Sequence, residues 1–505
     1  VIGAGFRYVE EAIVTMYPGT RVLSFECSRD FANRHADRQQ TNEKKAKSAI
    51  WYPGGHETPA TFLRRQLDEL STVGIRILEW PASIRAFPSE VARIRESIAI
   101  FLRETNGNIM TVSKFGRRWI HNTLVNALSA ENPQTISGVE GPVFIAASGS
   151  SLASCLSFLT RHRHRISLWA LPSSLRFLEE HNLTPDIIVA TDAGYYASVH
   201  LRFPSQHPIR IAMPITAAPP PPTSEIVLFR QDTVPEALIF EGRSMKPDES
   251  DIVSIPENGT VAGTALQIAV RSGAHSVIFG GLDLCIQGLI AHVRPHSFDE
   301  ILFTATGRLK PLPSVLAARM IAAGGYHIHE DCVVTAPLRT FHGWFDRFCA
   351  SAPIPIYRLN PSPIDVTGTI PVDPDSVDGI FQDAPLPRFA MKTPVTYPKS
   401  EMIPDRIDQV LGRWANDVRQ SALTAWDEFC YNADTTPYTR PNTRRYPLDL
   451  IRYWDYPGLL DAYRRTINEG FETGRRHVRE VADRCSIELI DVQERVRNAR
   501  RQSDT

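Results

Sequence analysis

The chain has 505 residues, 43% of them hydrophobic, with 55 Lys and Arg against 56 Asp and Glu. That length holds two to four domains with sizeable cores, and the balanced charge leaves no general electrostatic footprint for nucleic acid or an anionic membrane. Seven scattered cysteines without a CxxC or CxxH cluster argue against a zinc site or a disulfide framework, so the expected setting is reducing and cytoplasmic.

No apolar run approaches the roughly 20 residues of a bilayer span, and no stretch resembles a secretory leader. Val1, Ile2 and Gly3 read as the end of a strand whose beginning lies upstream of the sequence given. Helical spacing over residues 6–16 and a second strand over 21–25 then place Glu26 about 21 residues after Gly5. A glycine turn feeding a helix, with an acid at that distance, lets a carboxylate meet a nucleotide ribose. Tyr8 stands where the third glycine of the fingerprint belongs, so a Rossmann-like domain without that ligand is the better reading, and Glu26 alone sustains the other.

Residues 62–70 are amphipathic, 75–78 read as a short strand, and 90–104 and 117–128 as helices, the last linking two domains. His56 and His121 lie in this region as ordinary surface or core histidines. From Pro142 the pattern restarts: VFIAASGSSLASCLSFL is a buried strand, a turn of small residues and a helix. Ser148, Gly149, Ser150 and Ser151 put backbone N–H groups and hydroxyls at a helix amino terminus. Such a turn serves equally as a phosphate site or as a serine-capped βα turn, and without Gly-Lys-Ser/Thr it is not a Walker loop.

A strand over 165–169 precedes IIVATDAGYYASVHL, where 187–191 is a buried strand and Asp192 lies at its carboxyl end. An acid there binds a sugar hydroxyl or a metal, or caps a helix; binding is the favoured reading. Tyr195 and Tyr196 follow as phosphate donors or helix-face core residues. Four consecutive prolines make 217–223 an extended loop, and strand signals return at 226–229 and 238–240.

The stretch 259–293, GTVAGTALQIAVRSGAHSVIFGGLDLCIQGLIAHV, organises the rest. Its almost wholly apolar helix over 260–272 opens at Thr260, and its strand over 276–280 lacks polar alternation, so both should be buried in a parallel sheet flanked by helices. Asp283 and His292 follow outside the strand's carboxyl end, where open α/β sheets bind ligands. Beyond lie a helix over 311–324, a strand over 332–335, an amphipathic segment over 340–349 and a closing turn over 357–368. Residues 371–398 read as a linker rich in Pro and Asp, and 407–432 and 448–500 as helices. Leu459, Tyr463, Ile467 and Phe471 share one stripe of a helical arm suited to oligomers or partner docking, and Arg495 to Arg501 form a solvated helix end.

Taken together, ASGSSL at Ala147, the strand ending at Asp192, and GTVAGTALQIAVRSGAHSVIFGGLDLC followed by AHV resemble the Maf family of motility-associated factors. The resemblance covers most of the chain and is centred on residues 140–370. It implies an α/β protein with a Rossmann-like domain at 1–130, a GT-A-like (sialyltransferase-like) catalytic domain at 131–370, and a linker with a helical domain at 371–505. It also implies an enzyme moving pseudaminic or legionaminic acid from a CMP-activated donor to Ser or Thr hydroxyls of flagellin, as flagellar assembly and motility require.

On that resemblance Gly149, Ser150 and Ser151 fall on the family's GPSL-like nucleotide turn, with Ser150 replacing the proline. Asp192 falls on the acid after the second strand, Asp283 on the DLA-like acid, and His292 on the HA-like histidine, with Val293 replacing the alanine. Cys285 and Gln287 depart from the polar or aromatic residues expected between them. The expected catalytic residues are His292 as base and Asp283. The donor-binding set is Ser148, Gly149, Ser150, Ser151, Asp192, Tyr195 and Thr260. His296, four residues past His292, either shares its site or is a loop histidine. No cofactor is required by this reading; Asp192 and Asp283 leave room for Mg²⁺, but a single leaving phosphate needs it less. Related archaeal enzymes that pyrophosphorylate 6-hydroxymethyldihydropterin, with ATP and Mg²⁺, share the central domain and supply the alternative activity. A non-catalytic flagellin-binding protein is the third reading.

Overall fold

The computed structural model describes all residues except 4, 18–19, 32–47, 56, 68, 131, 202–208, 241–250, 330–331, 395–396, 400–401, 432–445 and 504–505. His56 therefore lies outside the described residues. Two compact units emerge: Arg118–Ile407, and a second made from Val1–Arg117 together with Asp408–Thr505. The division expected at 130 and 370 groups the chain differently, because the helical tail belongs with the amino-terminal segment rather than standing as a third body.

Arg118–Ile407 contains an eight-stranded, wholly parallel sheet. Its strands are β1 (Pro142–Ala146), β2 (Ser167–Ala170), β3 (Ile187–Val189), β4 (Arg210–Met213), β5 (Glu225–Leu228), β6 (Ser276–Gly280), β7 (Ile356–Leu359) and β8 (Ile370–Val372). In space they run β8-β7-β6-β1-β2-β3-β4-β5. Side chains alternate between two apolar layers, as strand geometry dictates. Val143, Ile145, Val277 and Phe279 join one layer with the helix Val261–Arg271, while Phe144, Ala146, Leu168 and Ile278 join the other with Phe158. Burial on both faces is why β1 and β6 read as unbroken apolar runs. Full burial of a side chain such as Phe144 contributes about 1.5–3 kcal/mol, so these two strands anchor the site at their ends.

The chain winds outward from β1 to β5, then returns to place β6 on the other side of β1. The strand order therefore reverses between β1 and β6, and ligands in open α/β sheets bind in the crevice beyond the carboxyl ends at such a reversal. That is where Ser148–Ser151 and Asp283 follow their strands.

Several local expectations change. Residues 238–240 form a helix, Ala237–Phe240, since a short buried apolar run carries no period that tells helix from strand. Residues 75–78 are not a strand, and the two helices read between 90 and 128 are one, Pro88–Ser129. The segment read as a linker returns to the sheet domain: Ile370–Val372 is β8, and Arg388–Lys392 pairs antiparallel with Thr135–Glu140.

In the other unit Val22–Phe25 and Ser48–Trp51 pair in parallel, and Ile2 bridges Phe25 and Glu79, also in parallel. Glu26 is fully buried, accepts a 3.3 Å hydrogen bond from the Gly5 N–H, and is pushed up to about 7 by burial. The carboxyl that a ribose would need is thus enclosed against its own glycine turn. The tail helices Tyr446–Glu469 and Phe471–Ser503 pack together, and Tyr456 and Arg452 both reach Glu69, at 2.9 and 3.2 Å. Arg495 pairs with Asp491 and Arg497 with Asp408, which fits a solvated helix end. Among the described residues no helix is long and apolar enough to cross a membrane.

Candidate functional site

At the crevice between β1 and β6, Asp283 is gripped by the serine-rich turn. Its Oδ2 accepts from the Ser151 N–H at 3.0 Å and the Ser150 hydroxyl at 3.2 Å, and its Oδ1 accepts from the Ser151 hydroxyl. Ser150 also meets Gln287 Oε1 at 2.6 Å, and the Gly149 N–H donates to the Gly281 carbonyl at 2.8 Å. Asp283 is only 2% exposed, and burial raises its pKa against the opposing pull of the Ser151 hydrogen bonds. The turn requires glycine at 149 for space alone: a Cβ there would stand 2.4 Å from Asp283 Cγ and 2.5 Å from the Gly281 carbonyl oxygen. The hydroxyls that the sequence offers to a phosphate are therefore turned on the protein's own carboxylate, because a buried charge must be hydrogen-bonded.

The loop after Asp283 carries His292 back to this turn. Ser148 Oγ lies 3.0 Å from His292 Nδ1, and the Val293 N–H donates to the Ser148 carbonyl at 2.8 Å. His292 stacks on His296 with ring centres 4.7 Å apart and planes 7° from parallel. His296 in turn meets His200 at 5.1 Å, and Phe298 packs on both, at 4.5 Å from His200 and 5.4 Å from His296. His296 Nδ1 accepts the Phe298 N–H at 3.3 Å, so it is a built part of the cluster. All three imidazoles are held neutral. Desolvation leads in each case, lowering His200 to about 4 and His296 to about 3, with neighbouring histidines adding to it; the His292 pKa is also lowered, opposed by the Ser148 backbone.

The loop after β3 reaches the same cluster from the other side. Tyr196 packs edge-on to Phe298 at 6.1 Å and to Tyr195 at 5.6 Å, and both tyrosines are largely exposed. Asp192 is exposed, accepts the Gly194 N–H at 2.7 Å, and raises the His200 pKa by its charge. Thr260 opens the helix Val261–Arg271, with its N–H held by Asn258 Oδ1 at 2.9 Å. No hydrogen bond among the described residues joins Thr260 to the serine turn. The structure thus brings together Ser148, Gly149, Ser150, Ser151, Asp283 and His292, sets Asp192 and Tyr195 at the edge of the cluster, and leaves Thr260 apart. Sequence reasoning missed His200 and Phe298, because their only signal is a fold that bends the 192–200 and 292–298 loops together.

A hard cation would need free carboxylate oxygens. Both oxygens of Asp283 are taken by serine donors and one of Asp192 by a backbone N–H, so the pair fits Mg²⁺ poorly, and no step is derived through a metal. Among the described residues no group of three or more His, Cys, Asp or Glu is placed to hold one.

Residues 117–288 match the family described as 6-hydroxymethylpterin diphosphokinase MptE-like. An uncharacterized protein of Treponema pallidum (strain Nichols) is 28% identical over 221 residues, which is 43% of this chain and 48% of that one. The chain thus matches about half the length of this curated relative. The solved MAf glycosyltransferase of Magnetospirillum magneticum AMB-1 superposes with a TM-score of 0.59 at 12% identity, over 98% of this chain and 79% of its own. The likeness to that solved structure is one of fold and runs along nearly the whole chain, and the match to the MptE-like family covers its centre.

Proposed function

We propose that the chain is a glycosyltransferase that moves a nonulosonic acid, of the pseudaminic or legionaminic type, from a CMP-activated donor to Ser or Thr hydroxyls of flagellin. The Ser148–His292 contact in the crevice carries this reading, and the likeness to a Maf glycosyltransferase supports it. A hydroxyl is a poor nucleophile until a base takes its proton. His292 is neutral near pH 7 because its pKa is lowered, so it can accept one. Its Nδ1 faces Ser148 at 3.0 Å, and the pull of the Ser148 backbone toward the charged ring fits an N–H on that side. In that tautomer Nε2 keeps its lone pair for the acceptor hydroxyl.

Asp283 then acts as the clasp that fixes the serine turn, and Ser148 as the group that orients the base. The exposed Tyr195 and Tyr196 offer rings for the nucleobase and hydroxyls for the leaving phosphate, where a fixed donor in other enzymes contributes roughly 3–4 kcal/mol. Acceptor transfer needs no protein-bound cofactor in this scheme.

The match over residues 117–288 favours one alternative, transfer of a diphosphate to a pterin from ATP. Calorimetry with CMP against ATP and Mg²⁺ separates the two. CMP binding supports the glycosyltransferase, whereas a preference for ATP with Mg²⁺ supports the diphosphokinase. A non-catalytic flagellin-binding role predicts binding that survives loss of His292, Asp192 and Asp283 with no change in product mass.

A further inference from the structure

A cleft of about 540 Å³ lies beside the histidine cluster, on the far face of one helical turn. Its floor is the loop Gly194, Tyr195 and Ser198; one wall is the proline run Pro219–Pro222, and the other is Arg118 and His121 on the helix Pro88–Ser129. The loops come from the carboxyl ends of β3 and β4, the edge of the sheet that also carries the candidate site. Asn122 locks them together, its side-chain N–H groups donating to the Ala193 and Thr216 carbonyls at 3.2 and 3.1 Å. The cleft is therefore a built feature rather than a gap between loose loops.

Among the described residues Arg118 is the one Lys, Arg, Asp or Glu that lines the cleft, and the exposed Asp192 carboxylate beside it is tied to the Gly194 N–H. The exposed Arg118 has no carboxylate partner among the described residues. The prolines carry no backbone N–H, so a polar ligand finds its donors on the Arg118 side. Most of the remaining surface is apolar, from proline rings and the Tyr195 face, which is 61% exposed.

The helix Ala197–His200 separates this cleft from the proposed base. Ser198 lines the cleft, whereas His200 packs on His296 and Phe298 in the cluster that holds His292. A helix with its side chains is about 10 Å across, and an extended peptide rises roughly 3.3 Å per residue. The path from His292 also passes the His296 and His200 rings, whose centres lie 4.7 and 5.1 Å apart in turn, so a polypeptide whose hydroxyl sits at His292 reaches Arg118 in about three to six residues.

We infer that this cleft is an acceptor subsite that receives an acidic side chain of the acceptor polypeptide, about three to six residues from the modified Ser or Thr. Arg118 meets the carboxylate, and the proline run covers the peptide's apolar atoms. This rests on the glycosyltransferase reading for the position of the hydroxyl, but its charge preference does not depend on catalysis. A free carboxylated sugar in the cleft is the competing occupant, and the test separates it.

The experiment uses the full chain and fluorescein-labelled peptides with one central Ser and either Asp or Lys at about three to six residues to each side, read by anisotropy. An Arg–carboxylate contact at a half-open site gives on the order of tenfold preference for the Asp peptides. The preference disappears in Arg118→Gln and reverses in Arg118→Glu, while circular dichroism and CMP binding stay as in the unsubstituted protein. Equal binding of Asp and Lys peptides, or a preference that survives Arg118→Glu, overturns the inference. So does displacement of no peptide by excess N-acetylneuraminic acid alongside loss of that sugar's own binding in Arg118→Glu, since the cleft then serves the sugar. Absence of CMP binding by the unsubstituted protein instead counts against the glycosyltransferase reading and leaves the charge preference standing.

Discussion

Replacing Asp283 by alanine takes the acceptor away from three donors, the Ser150 hydroxyl, the Ser151 hydroxyl and the Ser151 N–H. Hydrogen bonds to a charged group contribute about 1.5–3 kcal/mol each, and a buried donor left without a partner costs about 1–3 kcal/mol. Two effects reduce the sum: Ser150 keeps Gln287 as a partner, and the raised pKa of Asp283 shows that its own burial is unfavourable. The net loss should be about 3–5 kcal/mol, from the lost charge-assisted hydrogen bonds and the two Ser151 donors left without a partner, less those offsets. Urea unfolding followed by tryptophan fluorescence reads it, because Trp169 is buried in β2 of the same sheet. Asp283→Asn keeps one acceptor oxygen and should fall between. A loss below about 1 kcal/mol in Asp283→Ala would refute the view that this carboxylate holds the turn.

Gly149→Ala should lower stability by about 1–3 kcal/mol, since its Cβ meets Asp283 Cγ at 2.4 Å and backbone at 2.5 Å; an unchanged melting temperature contradicts this. His292→Ala should leave the fold intact and reduce transfer by about 10²-fold or more, read as the rate of product formation at fixed donor. His200 and His296 have folded pKa values of about 4 and about 3, below the ordinary 6.5. Their neutral packing is stabilising above pH 6.5 and is lost as pH falls through those values, so melting temperature should drop between pH 6.5 and 4, and drop less in His200→Phe. Glu26 shows the opposite sign: raised from 4.5 to about 7, it favours the folded state below pH 4.5 and loses that contribution as pH rises through 7. Glu26→Gln should therefore flatten the melting profile between pH 5 and 7; an unaltered profile argues against a buried, protonatable carboxyl there.

Much of the sheet domain was legible because β1 and β6 are buried on both faces, and such strands show unbroken apolar runs ending in glycine or small residues. The acid and the histidine beyond β6 followed from the rule that ligands gather at carboxyl ends. The direction of the serine hydroxyls was not legible, since a turn of small residues reads the same whether its donors meet a phosphate or an aspartate. The histidine cluster was half visible: His292 and His296 are neighbours in sequence, but His200 joins them only because the strand order puts the β3 and β6 loops at one edge. The amino-terminal fingerprint read correctly as a parallel strand arrangement, while the enclosure of Glu26 depended on packing that local pattern does not record. Grouping of the tail with the first 117 residues rests on packing between segments far apart in sequence, such as Tyr456 on Glu69 and Ile467 and Tyr463 on Gly74, and a local pattern does not name the partner of such a stripe.

The central claim is chemical transfer through His292, and intact mass spectrometry of flagellin co-expressed with this protein and a CMP-nonulosonate pathway tests it most directly. The account predicts that flagellin gains whole increments of one nonulosonic acid residue with the unsubstituted protein, and none with His292→Ala at equal expression. Flagellin left unmodified by the unsubstituted protein, or fully modified by His292→Ala, would contradict it.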